Sequence, residues 1–429
     1  MSTKPAEALQ GLRQAFADSA PADPVLRKQR ERALERFMMH GFPGTREEAW
    51  RYTNLRNLTR RVFVTAGDGA ISSDQLNACR IPDLQGHLLV FLDGRLQHQL
   101  SDQNLPAGLR LSHLEAQDSE DSGQTLPAFS NLNTAFNQDA RLLQIDANTS
   151  VEKPLYLLFV SGQNEQPTML HPRVEISAGT NSRINLVEHH VSLAQDENLV
   201  NSLIDINLAA GARMNHTRIQ DASKKSFQIC RVNVDQARDS HYTHDHICLG
   251  SALARMDIHV SLSEPGAEVE LHGLMLGQGR QHMDTHTQVD HIAPLTQSRE
   301  TYRCVLDGKS RGVFNGKVVV HRDAQKIEAH QASNNLLLSD QAEIDTKPEL
   351  EIYADDVKCS HGATVGQLDK NALFYLLSRG IERTMARSLL VFAFADEIVA
   401  GIGEPSIRHA MEKRIVSQLP DGDRLREFV

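Results

Sequence analysis

The sequence has few cysteines, and their number and spacing exclude several kinds of site. Five cysteines occur in 429 residues, at positions 79, 230, 248, 304 and 359. An odd set of widely separated cysteines fits reduced thiols in the cytoplasm better than a disulfide framework. Because none forms a Cys-x-x-Cys pair, a zinc ribbon or a four-cysteine cluster motif has little support.

A basic charge balance and a long apolar run are also missing. Lys and Arg number 45 against 55 for Asp and Glu, which gives a formal net charge of −10. A nucleic-acid binder needs a basic surface to displace counterions, so we expect no nucleic-acid partner. The most apolar stretch, Ser388–Ile402, is interrupted by Asp396 and Glu397, and residues 1–20 do not resemble a signal peptide. We therefore expect no membrane span and a soluble, cytoplasmic protein.

The motifs of common catalytic sites are absent as well. Gly308-Lys309-Ser310 resembles the tail of a P-loop, but Arg303 stands where that motif requires its first glycine. The phosphate-binding turn cannot form as the motif demands, so ATP binding is not expected. No G-x-G-x-x-G, G-x-S-x-G or H-E-x-x-H motif occurs, and no nucleophile lies close in sequence to a base. The sequence therefore predicts no catalytic residue.

The pattern of predicted helices and strands divides the chain into a helical segment at 1–80, a strand-rich segment at 81–365 and a helical segment at 366–429. Predicted helices cover residues 6–17, 24–40, 369–379 and 381–399, with a last one from Ser406. Residues 45–48 form a capping-box pattern that predicts a further short helix containing Trp50.

The strand-rich segment shows persistent alternation of apolar and polar residues. A strand at 87–92 is predicted to enter a hairpin at Asp93-Gly94, and 131–139 is predicted to be an isolated helix. Clear alternation follows Pro154, at 174–176, 184–186, 204–208 and 269–271.

Turn signals in this segment do not repeat at a fixed interval. Those at Gly179, Gly211 and Gly266 are 32 and 55 residues apart. A parallel β-helix with irregular loops fits this pattern, and so does a β-sandwich or a β-barrel. The pattern alone therefore predicts a mainly β core and nothing more specific.

Histidine is frequent, with 20 residues, and one pair, His244 and His246, lies two apart in a predicted strand. His244 and His246 would project from one face of a strand, where two imidazoles can chelate a metal ion. The alternative is that they are half-exposed strand residues that are hydrogen-bonded or solvated. No third ligand can be chosen from the sequence, so both interpretations stay open.

The stretch 356–366 carries the most specific chemistry. In an extended strand, Val357, Cys359 and His361 point to one face. A thiolate beside an imidazole suits a soft or borderline metal such as iron or zinc. Two ligands are too few to hold a cluster, so the others must come from elsewhere. The alternative is a buried cysteine beside a hydrogen-bonded histidine.

At this stretch the sequence resembles the SufB/SufD family of iron–sulfur cluster assembly proteins. The stretch 356–369 is similar to the C-terminal signature of that family. The other matching segments are Trp50-Arg51-Tyr52-Thr53, the run 284–294 followed by Ser298, the runs 312–318, 324–326 and 331–338, and the helical stretch 373–381. The resemblance touches nearly the whole chain and is dense from 284 to 402. The combination is highly specific, whereas no single segment is.

The resemblance implies a right-handed parallel β-helix core flanked by N-terminal and C-terminal helical segments. It also implies a heterodimer in which the β-helices of SufB and SufD join end to end through their last strands. A SufC ATPase dimer would dock on the C-terminal helices, here within 366–429. A separate ATPase agrees with the missing P-loop, so the chain itself is expected to be a non-catalytic scaffold.

The helical N-terminus, the modest length and the lack of further cysteines before the core favour the SufD branch of the family over the SufB branch. For that branch the resemblance points to His361 as a ligand of iron or of a nascent cluster shared with SufB. Cys359 would be a secondary ligand or a sulfur relay. Flavin is associated with complexes of this family, but the sequence contains no flavin fingerprint.

Two other functions remain open at this point. One is a stand-alone metal-dependent β-helix enzyme, such as a polysaccharide lyase or an isomerase, that uses the histidine-rich strands. The other is a purely structural partner of SufB, in which His361 only packs. A bare terminal strand would also permit a homodimer of the isolated chain.

Overall fold

The computed structural model describes residues 4–19, 21–115, 126–420 and 424. The described residues contain seven α-helices: α1 Lys4–Asp18, α2 Pro24–His40, α3 Ser73–Cys79, α4 Ala128–Phe136, α5 Lys370–Ser378, α6 Arg383–Val399 and α7 Pro405–Val416. Three short 3₁₀ helices cover Glu48–Trp50, Leu55–Asn57 and His98–Leu100.

The strands of the described residues number 22. The first eleven are β1 Val64–Thr65, β2 His87–Leu92, β3 Arg95–Leu96, β4 Leu109–His113, β5 Arg141–Ile145, β6 Leu155–Ser161, β7 Thr168–Leu170, β8 Arg173–Ala178, β9 Arg183–Ser192, β10 Asn198–Val200 and β11 Leu203–Leu208. The others are β12 Arg213–Asp221, β13 Phe227–Gln236, β14 His241–Cys248, β15 Leu253–Leu262, β16 Glu268–Gly277, β17 His282–His291, β18 Gln297–Leu306, β19 Arg311–Val320, β20 Ile327–Leu337, β21 Glu343–Ile352 and β22 Val357–Gly366.

Successive strands alternate between two parallel sheets and so form a β-helix. The first sheet has the order β4-β5-β8-β11-β13-β15-β17-β19-β21, and the second has the order β3-β2-β6-β9-β12-β14-β16-β18-β20-β22. β1, β7 and β10 pair beside the first sheet, and among the described strands only β2–β3 and β4–β5 pair antiparallel. The core is therefore a parallel β-helix of about eight turns with helices at both ends, as the resemblance implied.

The alternation of the sequence builds the interior of this β-helix. Equivalent inward positions of the first sheet carry aliphatic side chains that stack from strand to strand and are at most 3% exposed: Ile176, Ile206, Val234, Val260, Val289 and Val318. Each such side chain stabilises the fold by about 1.5–3 kcal/mol relative to an exposed one. The strand register explains why the sequence shows no fixed period, because one turn from β8 to β22 takes between 26 and 32 residues.

The helices pack on the outer faces of the sheets. Side chains of α1, α2 and α4 form one apolar cluster with Phe227 and Leu253 of the first sheet. α6 and α7 cover the second sheet, where Val391 and Ile407 share an apolar cluster with Leu274. The helices therefore clamp the β-helix from two sides and leave its last turn uncovered, since both last strands keep exposed residues.

Most predicted elements are confirmed, and the errors are local. The helix at 24–40 has the predicted bounds, with Asp23 accepting the backbone N–H of Leu26, and the hairpin forms at Asp93-Gly94. The predicted capping box at 45–48 is wrong, because the carboxylate of Glu47 accepts the N–H of Gly44 and the 3₁₀ helix begins without a side-chain cap. The helix predicted at 131–139 lies at 128–136, since it starts directly after Pro127.

The division into segments 1–80, 81–365 and 366–429 stays a prediction. The strands run from Val64 to Gly366, so β1 precedes the predicted start of the strand-rich segment and β22 ends one residue beyond it. No helix of the described residues is long and apolar enough to cross a membrane.

Candidate functional site

The last turn of the β-helix ends in a strand with a free edge in each sheet. Among the described residues, β22 pairs only with β20, and β21 pairs only with β19. Every residue from 360 to 366 is exposed, whereas inward residues of the preceding strand β20 are buried. The free backbone groups of β22 are available to pair with a strand of another chain.

Cys359 and His361 lie on the inner face of this last strand. In the register of β20 and β22, Cys359 stands beside Ala329 and His361 beside Gln331, and both of these neighbours are buried inside the β-helix. The sequence correctly predicted that the two side chains share a face. Cys359 is partly buried against an apolar cluster that contains Val318 and Ala329, whereas His361 is exposed at the open end.

The two candidate ligands differ in how readily they bind a metal ion. Burial raises the pKa of the Cys359 thiol, so the thiol must lose a proton from an unfavourable setting before it coordinates. A neutral imidazole coordinates without losing a proton. No described residue hydrogen-bonds the His361 ring, so the alternative of a buried cysteine beside a hydrogen-bonded histidine is wrong.

The outer face of β22 is tied to β20 by three side-chain pairs. Lys358 pairs with Glu328 at 2.6 Å, Ser360 hydrogen-bonds His330 at 2.7 Å, and Thr364 donates to Asn334 at 2.8 Å. These contacts hold the strand in register without using its inner side chains. The inner groups, Cys359 and His361, therefore stay available at the open end.

His361 is the last member of an inward column that we call the inner ladder. Its members, aligned strand by strand in the second sheet, are His216, His244, Leu271, Glu300, Gln331 and His361. Gln331 donates to Glu300 at 3.2 Å, and Thr287 donates to the same carboxyl group from the first sheet at 2.5 Å. Burial raises the pKa of Glu300 to about 7, so this carboxyl group is partly protonated at neutral pH.

Farther from the open end, His216 of the inner ladder belongs to a fully buried polar cluster. The carboxylate of Glu188 contacts His190 at 2.5 Å, His216 at 3.0 Å and Arg218 at 3.1 Å. Burial alone would raise the pKa of Glu188, but Arg218 and the two imidazoles hold it well below the ordinary value. The cluster is therefore a compensated buried charge in an otherwise apolar core.

The histidine pair proposed as a chelate belongs to this buried region. His244 and His246 do project from one face, but both are fully buried, so the description as half-exposed strand residues is wrong. Burial lowers the pKa of His246 to about 3, which keeps the ring neutral. Within the described part of the chain, no three His, Cys, Asp or Glu side chains are arranged to hold a metal ion.

The Trp50–Thr53 and Asp284–His286 signatures meet and join the N-terminal segment to the β-helix. The carboxylate of buried Asp284 accepts hydrogen bonds from Thr53 at 2.5 Å and from Arg255 at 2.7 Å. The guanidinium of Arg255 also lies 4.0 Å from the centre of the Trp50 ring. Burial alone would raise the pKa of Asp284, but Arg255 and His286 hold it well below its ordinary value. These signature residues have a structural role.

The segment that resembles a P-loop tail lies in a turn between β18 and β19. Gly308 has a φ of 67°, and the N–H of Lys309 donates to the carbonyl of Gly279 on the neighbouring turn. A P-loop instead leads into a helix whose N-terminal N–H groups bind phosphate. The expectation that this segment does not bind ATP therefore agrees with its backbone.

Sequence reasoning missed Glu300, Gln331 and the Glu188 cluster. A strand pattern marks inward positions by apolar residues, so a polar residue at such a position is assigned to the outside. The usable signal was the spacing, because Glu188 and Arg218 are 30 residues apart and Glu300 and Gln331 are 31 apart. Each interval equals one turn of the β-helix.

Comparison with known proteins gives matches along almost the entire chain. Residues 159–394 match the family model described as "SUF system FeS cluster assembly, SufBD core domain", and residues 13–157 match "SufBD protein N-terminal region". An iron–sulfur cluster assembly SufBD family protein of Synechocystis sp. is 33% identical over 93% of this chain and 92% of its own. The iron–sulfur cluster assembly protein SufD of Escherichia coli is 30% identical over 92% of this chain and 94% of its own. The chain therefore belongs to the SufBD family of the SUF system of iron–sulfur cluster assembly.

Proposed function

We propose that the chain is the SufD scaffold subunit of a SufB–SufC–SufD complex and contributes to iron acquisition and nascent cluster formation at the interface with SufB. The observation that carries this proposal is the free edge of the last strand, β22, which presents Cys359 and His361 inward at the open end of the β-helix. The chain supplies half a site, and the last strand of SufB supplies the other ligands. The iron or cluster is cargo, bound only while the complex assembles it.

His361 is the primary ligand in this proposal. Its ring is exposed and coordinates without deprotonation, whereas the Cys359 thiol is partly buried with a raised pKa. Cys359 then acts as a secondary ligand or a sulfur relay once iron lowers the pKa of its thiol. Five unpaired cysteines support a reducing cytoplasmic setting for this chemistry.

The C-terminal helices are the proposed docking surface for SufC, which carries out the ATP hydrolysis. α5 exposes Phe374 by 72% and Tyr375 by 57%, and large exposed aromatic side chains are typical anchors of protein interfaces. α5 begins four residues after the end of β22, so a movement of this helix acts directly on the last strand. Binding of ATP would shift the population between a closed and an open SufB–SufD interface.

Anaerobic co-purification of the complex tests the proposal. The wild-type chain should bring down SufB and SufC with iron and sulfide, and His361→Ala should lose most of the iron while SufC stays bound. His330→Ala is the matched control, because His330 is an exposed histidine of the neighbouring strand that points outward to Ser360.

The same experiment separates the alternatives. Unchanged iron in His361→Ala would leave the chain as a purely structural partner of SufB. Loss of SufB from that variant would make the residue structural. Turnover of a substrate by the purified chain alone, with no partner bound, would favour a stand-alone enzyme.

A further inference from the structure

A partly enclosed cavity lies where the N-terminal segment and α4 cross the outer face of the first sheet. Its volume is about 140 Å³. It is lined by residues of the N-terminal segment, the start of α4, the loop between β10 and β11, and the strands β11, β13 and β15. A cavity of about 150 Å³ in another protein holds a benzene ring, so this cavity has room for one small ring.

Polar contacts fix both walls of the cavity. Buried Asn201 donates from its Nδ2 to the carbonyl of Phe129 at 2.7 Å, which holds the start of α4. Arg255 donates to the carbonyl of Ala49 at 2.7 Å, and its guanidinium lies 4.0 Å from the centre of the Trp50 ring, which holds the N-terminal segment. Because both sides are held, the space cannot close by small shifts. The cavity is therefore preformed, as small-molecule sites usually are.

The interior of the cavity is suited to an aromatic ring. Trp50 and Phe129, whose ring centres are 5.5 Å apart, line it from the covering elements. Ile229 and Leu203, both buried, line it from the sheet. Aromatic and aliphatic walls of this kind favour an apolar group of matching size.

The polar end of the cavity is its mouth, which opens into a groove on the same outer face. Pro127, Ser130, Leu203 and Arg231 line both the cavity and the groove. Among the described residues, the guanidinium of Arg231 makes a single hydrogen bond, from its Nε to Asn233 at 2.7 Å, so both terminal amino groups remain available. A guanidinium with free terminal amino groups is the preferred partner of a carboxylate.

The other charged groups of the wall are already paired with each other. Asp257 is the register neighbour of Arg231, but its two oxygens accept N–H groups of Arg255 at 2.7 and 3.1 Å. Arg255 also pairs with buried Asp284 at 2.7 Å. A carboxylate that enters the mouth therefore binds Arg231 without displacing a carboxylate of the protein.

We propose that this cavity binds a small aromatic monocarboxylate, with the ring in the interior and the carboxylate on Arg231 at the mouth. The buried hydroxyl of Ser130, also at the mouth, can donate a second hydrogen bond to the same carboxylate. The site lies between the N-terminal segment and the first sheet, whereas His361 belongs to the second sheet. The proposal is therefore independent of the ligand role of His361.

Saturation-transfer NMR of the full chain with benzoate tests the proposal. Benzoate should bind with a Kd on the order of 0.1–1 mM, as expected for a ligand of its size. It should change the fluorescence of Trp50, the only tryptophan of the chain, over the same concentration range. Benzamide has the same shape without the charge and should bind about 10-fold more weakly. Equal affinities for benzoate and benzamide, or no binding of benzoate, would overturn the proposal.

Variants at the mouth show whether Arg231 holds the carboxylate. Arg231→Met removes the guanidinium and should weaken benzoate binding about 10-fold, while the affinity for benzamide stays unchanged. Arg173→Met is the matched control, because Arg173 lines the adjoining groove but not the cavity. Its affinities should equal those of the wild type. If Arg173→Met loses benzoate binding as Arg231→Met does, the ligand is not held in the cavity and the proposal fails.

A variant that fills the interior tests the position of the ring. Ala128 lines the cavity at the first residue of α4, so Ala128→Leu should abolish binding of both benzoate and benzamide. Its melting temperature should not fall, because the larger side chain occupies space that is already present. Benzoate binding that survives in a folded Ala128→Leu chain places the ligand elsewhere and overturns the proposal. If that variant does not fold, the two arginine variants still decide the outcome.

Discussion

At the scale of single residues, the unusual feature of this protein is the number of ionisable groups inside its β-helix. Glu188, Glu300 and Arg218 are at most 1% exposed, and His216 and His244 are fully buried beside them. Replacing such groups by apolar residues is often neutral or stabilising in other proteins, so their presence needs a reason beyond stability.

Glu300→Gln isolates the stability cost of one of these groups. Burial raises the pKa of Glu300 to about 7 from an ordinary value of 4.5, so the folded state holds a proton that the unfolded chain has already lost. The wild type therefore loses stability as pH rises from 4.5 through 7, by about 3 kcal/mol in total. The glutamine variant has no such loss.

The measurement is the free energy of unfolding by urea at several pH values between 4.5 and 8. The difference between Glu300→Gln and the wild type should grow in favour of the variant by about 3 kcal/mol over that range. Buried histidines titrate in both proteins and cancel from the difference. Exposed Glu152 gives the control, since Glu152→Gln should leave the curve unchanged. If the free energies of unfolding of Glu300→Gln and the wild type change in parallel with pH, the carboxyl group of Glu300 is not protonated in the folded protein.

At the scale of elements, the buried carboxylate of Asp284 adds a polar anchor to the apolar cluster that packs the N-terminal segment on the β-helix. Asp284→Asn removes the charge that neutralises Arg255 and weakens the hydrogen bond from Thr53. Breaking a buried ion pair by removing one partner typically costs about 3–5 kcal/mol, and the remaining pairing of Arg255 with Asp257 places this case at the lower end. We expect faster proteolysis around Trp50 and a loss of about 3 kcal/mol in the free energy of unfolding.

Asp345 provides the matched control for that variant. It pairs with Arg311 at 3.3 Å on the outer face of the last strand of the same sheet, where its side chain is 32% exposed. Asp345→Asn should change stability by less than about 1 kcal/mol, because exposed ion pairs contribute little. If Asp284→Asn and Asp345→Asn lose the same free energy of unfolding, the contacts of Asp284 with Thr53 and Arg255 do not anchor the N-terminal segment.

Elements whose ends depend on local chemistry were predicted from the sequence with the greatest accuracy. Helix 24–40 has Asp23 as its N-cap, Pro24 in its first turn and Gly41 after its end, and all three signals act within a few residues. The arrangement of strands was not accessible in this way, because each strand pairs with one about 30 residues away across loops of unequal length. The β-helix was distinguished from a sandwich or barrel by the family resemblance alone.

At the scale of the whole molecule, the candidate site lies where the β-helix ends, on a last strand that has a neighbour on one side only among the described residues. The sequence identified Cys359 and His361 on one face from their spacing, since alternation is a local property of a strand. It could not show that this strand is the last of its sheet, which depends on the whole order of pairing. It also could not identify Gln331 or Glu300, because their inward position follows from that order and not from their polarity.

The connection between α5 and β22 leads to a prediction about the complex. Only Gln367, Leu368 and Asp369 separate the end of β22 from the start of α5. α6 is fixed to the β-helix through Arg303, which donates to the carbonyl of Phe394 at 2.9 Å, and α7 is fixed by the pair of Arg414 and Asp221 at 2.6 Å. A force on α5 is therefore transmitted to the last strand more directly than to the rest of the β-helix.

Photocrosslinking from the last strand measures this coupling. A benzophenone side chain in place of exposed Val365 should crosslink to SufB in the complex, and a non-hydrolysable ATP analogue should lower the yield by opening the interface. Inserting three glycines after Gly366 should abolish the effect of the nucleotide without lowering the yield in its absence, because a flexible linker no longer transmits the movement. If the analogue does not change the crosslinking yield in the chain without the glycine insertion, coupling through α5 is refuted. A response that survives the insertion would instead place the coupling in α6 and α7.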